Sequence, residues 1–132
     1  MLTYGDGLTN QNLTKLYYYH LKHKKIATLT AVKPPARFGE ITLRSSRVSK
    51  FEEKPQLNES WINGGYFMFN YKIFDYISGD QVMLEREPLT KLVKKKQLMA
   101  YKHKYFWQCM DTIRDKKLLE KMYQKKKAPW IK

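Results

Sequence analysis

The chain has 132 residues, a length that suits one domain, and 42% of them are hydrophobic, which excludes wholesale disorder. No apolar run approaches the roughly 20 residues that a membrane-spanning helix needs. Twenty-six Lys and Arg against twelve Asp and Glu give a net charge of +14, the balance of a polyanion binder, yet no nucleic-acid motif accompanies it.

Residues 1–4 are short and apolar and stop at Gly5-Asp6-Gly7, so they read as the tail of a strand entering a tight loop. Residues 10–25 read as a helix, because Leu13, Leu16, Tyr17, His20 and Leu21 form one apolar stripe at helical spacing. Residues 27–32 alternate threonine with apolar side chains and predict a strand that ends at Pro34-Pro35. Residues 41–43 and 48–51 predict a hairpin around Ser45-Ser46-Arg47, and residues 52–60 a polar loop. An aromatic strand over 61–69 is interrupted by Gly64-Gly65. A short helix follows at 71–77, closed by Gly79, then a helix over 83–96 that Pro88 kinks or restarts.

Residues 98–110 predict one strand or two short ones, and the last helix starts at Thr112. Thr112 through Asp115 resembles a capping box, which places Asp111 in the strand-to-helix turn. The lysine clusters at 22–25, 94–96 and 125–127 fall where three of the four helices should end, and there they complement the helix dipoles. Much of the positive charge therefore has a structural home, and neither nucleic acid nor membrane is expected as a partner. Mixed strands and helices give an α/β class.

Asp6 lies between two glycines at a strand end, where open α/β sheets bind ligands and where the backbone can turn tightly. An ordinary Asp-Gly turn fits the same residues. Asp111 is a second aspartate at a strand end, and two such carboxylates could hold magnesium with substrate phosphates. Glu53 beside Lys54 could meet sugar hydroxyls and phosphate, or could be plain surface charge. Gly64-Gly65 weakens an aromatic strand unless a ligand or another backbone comes close.

His20 and His23 lack a third metal ligand nearby, so zinc is not expected. Cys109 is the single cysteine, which excludes an internal disulfide, and it reads as a core residue. Residues 1–10 lack the basic-then-apolar pattern of a secretory signal, and the cytoplasm is the expected location.

Taken in order, several motifs resemble the glucose-1-phosphate cytidylyltransferases of the sugar-1-phosphate nucleotidylyltransferase family. They are Tyr4-Gly5-Asp6-Gly7-Leu8, residues 27–32, Arg37-Phe38-Gly39, residues 51–55, residues 62–67 and Glu85-Arg86-Glu87-Pro88-Leu89. Leu98-Met99-Ala100-Tyr101, Phe106-Trp107-Gln108, residues 110–115 and Ala128-Pro129-Trp130 complete the set. The segment from Phe106 to Thr112 and the closing Ala-Pro-Trp favour the cytidylyl branch over its thymidylyl, uridylyl and guanylyl relatives.

The resemblance implies a Rossmann-like fold with a mixed sheet. It also implies a reaction in which CTP and glucose 1-phosphate give CDP-glucose and pyrophosphate. By similarity, Asp6 and Asp111 would hold Mg2+, while Gly39, Glu53, Lys54, Asn63 and Gly64 would line the sugar-phosphate site. No residue is assigned a catalytic acid, base or nucleophile role.

Family members begin with a strand and a Gly-Thr-Arg loop, followed by a Lys-Pro motif, and these grip the nucleotide. Gly-Thr-Arg does not occur in this sequence, and no Lys-Pro lies ahead of Asp6. The expectation is an N-terminally truncated domain over residues 1–132, inactive alone, which forms a homo-oligomer or pairs with a missing N-terminal half. A non-catalytic remnant, a sugar-phosphate-binding fragment and a basic nucleic-acid-binding module are the alternatives.

Overall fold

A computed structural model describes residues 1–35, 38–53 and 60–131. Its centre is a four-stranded mixed sheet built from β1 (Leu2–Thr3), β6 (Ile62–Phe69), β3 (Ala27–Val32) and β7 (Leu98–His103), in that spatial order. β3 runs antiparallel to β6 and parallel to β7, and β1 closes one side antiparallel to β6. The mixed α/β sheet is the architecture the sequence predicts.

Two small ribbons flank this sheet. β2 (Gly7–Thr9) pairs with β8 (Trp107–Cys109), and β4 (Glu40–Arg44) pairs with β5 (Arg47–Glu52). Residues 5–7 read as a loop from the sequence, yet residues 7–9 form β2. Three residues carry no period, and only their partner strand, about a hundred positions away, defines them.

Side chains alternate across β3 as a strand requires. Ala27 and Leu29 join Phe67, Ile73, Leu89 and Leu92 in the apolar core. That core lies under α2 (Glu87–Lys94) and a short 3-10 helix, Tyr71–Tyr76. Pro88 sits in the first turn of α2, where its missing N–H costs nothing, so it starts the helix rather than kinking it.

Thr28 and Thr30 point the other way, under α1 (Leu13–His23), and build a polar layer. The Thr30 hydroxyl donates to Gln11 Oε1 at 2.9 Å. The Thr28 hydroxyl lies 2.8 Å from His20 Nδ1 and 2.6 Å from His23 Nε2. These bonds, with the Tyr19 hydroxyl donating to the Ala100 carbonyl at 3.1 Å, set the rotation of the helix. Leu16 and His20 are buried, but Leu13, Tyr17 and Leu21 stay exposed, so only part of the predicted stripe faces the sheet.

α3 (Ile113–Gln124) starts at the expected capping box. Thr112 Oγ1 accepts from the Asp115 N–H at 3.2 Å, and Asp115 Oδ2 accepts from the Thr112 N–H at 3.1 Å. Among the described residues, no helix is long and apolar enough to cross a membrane.

Candidate functional site

The site begins where β1 passes into β2. The Tyr4 N–H donates to the Gly65 carbonyl at 2.8 Å, and the chain then turns through Gly5 and Asp6. Gly7 is paired with Cys109 in the β2–β8 ribbon, and the Met110 N–H donates to the Asp6 carbonyl at 2.9 Å. One strand enters the ribbon at Asp6 and the other leaves it at Met110-Asp111. Two aspartates 105 positions apart in the sequence thus meet at one end of a short ribbon.

Asp111 is held there from the helix side as well. Gln108, buried in β8, donates to Asp115 Oδ1 at 3.1 Å, and Asp115 in turn caps α3. This ties the end of β8 to the start of α3 and fixes the turn between them. The positive end of α3 favours a carboxylate at this point. Cys109 is half-buried rather than a core residue, and its thiol donates to Asp111 Oδ2 at 3.2 Å.

Asp6, Asp111, Asn63 and Gly64 line one cleft of about 330 Å³, together with Tyr4 and Trp107. Asn63 is held by two hydrogen bonds. Its Nδ2 donates to the Tyr4 hydroxyl at 3.1 Å, and its Oδ1 accepts from the Gly65 N–H at 2.9 Å. The Tyr4 hydroxyl donates onward to Glu85 Oε1. Burial and the Glu85 carboxylate together push the Tyr4 phenol up to about 12, so it keeps its proton and remains a donor.

The Tyr4 and Glu85 motifs, named separately in the sequence, thus form one chain of hydrogen bonds that ends on Asn63. Trp107 Nε1 donates to the Gly64 carbonyl at 2.9 Å, and the Tyr66 hydroxyl donates to the Gly7 carbonyl at 2.6 Å. Nothing in the sequence joins these pairs, because each spans at least 43 positions.

The two strand glycines have a packing reason. A Cβ on Gly64 would lie 2.9 Å from Val32 Cγ1 and 3.1 Å from the Thr30 carbonyl. Gly65 has φ +76°, and a Cβ on it would lie 2.8 Å from the Tyr4 ring. Close approach by β3 at Gly64 and by Tyr4 at Gly65 excludes larger side chains at both positions.

Gly39 and Glu53 form a second group, at the base of the β4–β5 hairpin. A Cβ on Gly39 would lie 3.0 Å from Glu53 Oε2 and 3.3 Å from the Phe51 ring. Neither residue lines the Asp6–Asp111 cleft. Arg37 and Lys54 lie outside the described residues. A larger open groove of about 900 Å³ lies at the opposite ends of β3 and β7, lined by Lys24, Lys25, Lys72, Lys91 and Lys95. α1 and α2 both end beside it, so its lysines complement two helix dipoles, as the sequence predicts.

The donor set can be tested against a metal. Among the described residues, no group of three or more His, Cys, Asp or Glu could hold an ion. Asp6 and Asp111 supply hard carboxylate oxygens from two backbone segments that hydrogen-bond to each other. That suits Mg2+, which takes one or two carboxylates and fills its remaining positions with water and phosphate oxygens.

The nucleotidyl transferase family model matches residues 1–108. The chain belongs to that family. It is 45% identical over 130 residues to the glucose-1-phosphate cytidylyltransferase of Salmonella typhimurium, covering 98% of this chain and 51% of that protein. Identity to the enzyme of the same name from Salmonella typhi is 44%, with the same coverage. Identity to the D-glycero-alpha-D-manno-heptose 1-phosphate guanylyltransferase of Aneurinibacillus thermoaerophilus is 38% over 96 residues, 66% of this chain and 41% of that one.

The chain thus spans about half the length of these relatives. A Bacillus anthracis crystal structure, assigned as a glucose-1-phosphate thymidylyltransferase in complex with a sucrose, superposes with a TM-score of 0.57. The match has 19% identity and covers 86% of this chain and 50% of that one, so it supports the nucleotidyltransferase fold alone.

Proposed function

We propose that this chain carries the metal- and sugar-phosphate-binding half of a nucleotidyltransferase that converts CTP and glucose 1-phosphate to CDP-glucose and pyrophosphate in the cytoplasm. The observation that carries the reading is the convergence of Asp6, Asp111, Asn63 and Gly64 on one cleft. The cytidylyltransferase relatives, matched over 98% of the chain, supply the substrate class.

In the reaction a sugar-phosphate oxygen bonds to the α-phosphorus of CTP, and the bond to the pyrophosphate oxygen breaks. No proton need move through the protein, so positioning and charge are the main demands. Asp6 and Asp111 hold Mg2+, whose charge offsets that on the phosphate oxygens. Asn63, fixed by Tyr4 and the Gly65 N–H, presents its amide to the sugar. By the resemblance, Glu53, at the hairpin base outside this cleft, would accept from sugar hydroxyls, and Lys54 would meet the phosphate. The nucleotide-gripping loop is supplied by a segment outside these residues, and the chain alone does not turn over CTP.

Titration of the 132-residue chain with glucose 1-phosphate, followed by NMR, tests the site. Saturable shifts around Asn63 that require Mg2+ are expected, and Asp6→Asn or Asp111→Asn should each weaken binding at least about tenfold. Binding indifferent to Mg2+ and to both substitutions would sink the metal assignment. A pyrophosphate-release assay with CTP, glucose 1-phosphate and Mg2+ tests the second half of the reading. Robust turnover by this chain would overturn the claim that it is inactive alone.

A further inference from the structure

The β4–β5 hairpin stands away from the central sheet, and every residue of both strands is exposed. A lone two-stranded ribbon is marginal in water. Its cross-strand register puts Ile41 opposite Phe51 and Leu43 opposite Val48, so one face is continuously apolar. On the other face Arg44 lies opposite Arg47, an unfavourable like-charged pair, and Glu40 lies opposite Glu52, whose carboxylate pairs with Lys50 at 2.8 Å. Among the described residues β4 pairs with β5 alone, which leaves its outer backbone edge open. Open edges of this kind are templates for another strand.

The sequence of β4, Glu-Ile-Thr-Leu-Arg, is complementary to itself when reversed. Two copies laid antiparallel about a twofold axis at Thr42 put Glu40 opposite Arg44, Ile41 opposite Leu43, and Thr42 opposite Thr42. Every pair is then favourable: ionic at both ends, apolar inside them, β-branched at the centre. The register also keeps Ile41 and Leu43 of both copies on one face, which extends the apolar face across four strands. A shift by one residue would lose both the charge pairing and the facing. Between the Thr42–Lys50 and Leu43–Val48 pairs the register skips Ser49, so the bulge lies on β5 and β4 is the regular edge.

We infer that β4 is a self-recognition edge, through which two copies of this chain pair into a four-stranded antiparallel sheet with twofold symmetry. Each copy bears +14, but at physiological salt this repulsion is screened beyond about 8 Å, while the Glu40–Arg44 contacts are shorter. The inference is independent of the catalytic reading. It has one consequence for it, because Gly39 and Glu53 adjoin the paired strands, and a second copy would stiffen the base they form.

Sedimentation equilibrium of the chain at 10–200 µM (roughly the range that resolves micromolar dimers) tests the edge. A concentration-dependent dimer is expected. Glu40→Arg and Arg44→Glu each place like charges opposite one another at two symmetric points, and each should raise the dissociation constant at least about tenfold. The double swap E40R/R44E restores complementarity and should return the dimer. Because all three variants change only exposed side chains, loss and rescue cannot be explained by misfolding. A wild-type chain that stays monomeric, or a double swap no better than either single, would overturn the inference. In a Cys109→Ser background, Thr42→Cys should crosslink two copies under mild oxidation, whereas Lys50→Cys should not. Equal crosslinking at both positions would also overturn it.

Discussion

Trp107 donates its indole N–H to the Gly64 carbonyl at 2.9 Å, across 43 positions of sequence. The bond ties the β2–β8 ribbon, which carries the two aspartates, to β6, which carries Asn63. Trp107→Phe keeps an aromatic side chain but loses the fused pyrrole ring with its N–H, and leaves a buried carbonyl without its donor. The expected loss is about 1–2 kcal/mol in urea unfolding. Magnesium-dependent glucose 1-phosphate binding should weaken more than overall stability accounts for. Unchanged binding in a folded Trp107→Phe chain would show that the ribbon is positioned by other contacts.

Gly65→Ala should be the more damaging change at the next position. The residue has φ +76°, and an added Cβ would strike the Tyr4 ring. That ring holds Asn63 through its hydroxyl. The cost should be about 1–3 kcal/mol, from strain and displaced tyrosine together. Thermal melting reads the stability loss, and the Asn63 side-chain amide resonances should shift. A wild-type melting temperature would contradict the backbone strain.

How much of this was legible in advance depends on range. Elements with a local signature were readable: the alternation of residues 27–32, the Thr112–Asp115 cap, and the turn at Ser45-Ser46. The placement of Asp6 and Asp111 was also readable, because each lies at a strand end beside a turn. β2 was not, since three residues reveal nothing without β8. The hydrogen-bond chain from Glu85 through Tyr4 to Asn63 was not, since its bonds span 81 and 59 positions. The orientation of α1 was misjudged because hydrophobicity was the guide. The face that docks is partly polar, held by histidine–threonine bonds that no apolar period records.

Asp115 offers a test of how the Asp111 turn is held. Its carboxylate accepts from Gln108 and from the Thr112 backbone, and it is 4% exposed. Asp115→Ala removes the reciprocal half of the α3 capping box, leaving the Thr112 N–H without its acceptor, and leaves the Gln108 amide short of a partner. A loss of about 1–3 kcal/mol is expected. Magnesium affinity should fall too, although Asp115 does not line the cleft. Asp115→Asn retains an acceptor and should recover most of the stability. If Asp115→Ala destabilised the chain without touching Mg2+ binding, the turn would be positioned independently of the helix cap.

His20 and His23 predict a pH dependence. Burial lowers both imidazoles below the ordinary 6.5, with the neighbouring His23 adding to the effect on His20 and Lys25 adding to that on His23. A base whose folded pKa lies below its unfolded one is held neutral by the fold. Between the two values the unfolded chain binds more protons, so stability rises with pH there. Stability should therefore be intact above the imidazole range and decline as pH falls through 6.5 toward the lower folded values. The physical event is local: only one of the two histidines can accept the Thr28 hydroxyl proton, and protonating that ring turns the acceptor into a second donor aimed at the same oxygen. Melting temperatures between pH 7.5 and 5.5 should drop for the wild-type chain, and the slope should flatten in His20→Gln/His23→Gln. A wild-type profile flat across that window, or a slope unchanged in the double variant, would show that the pair does not control it.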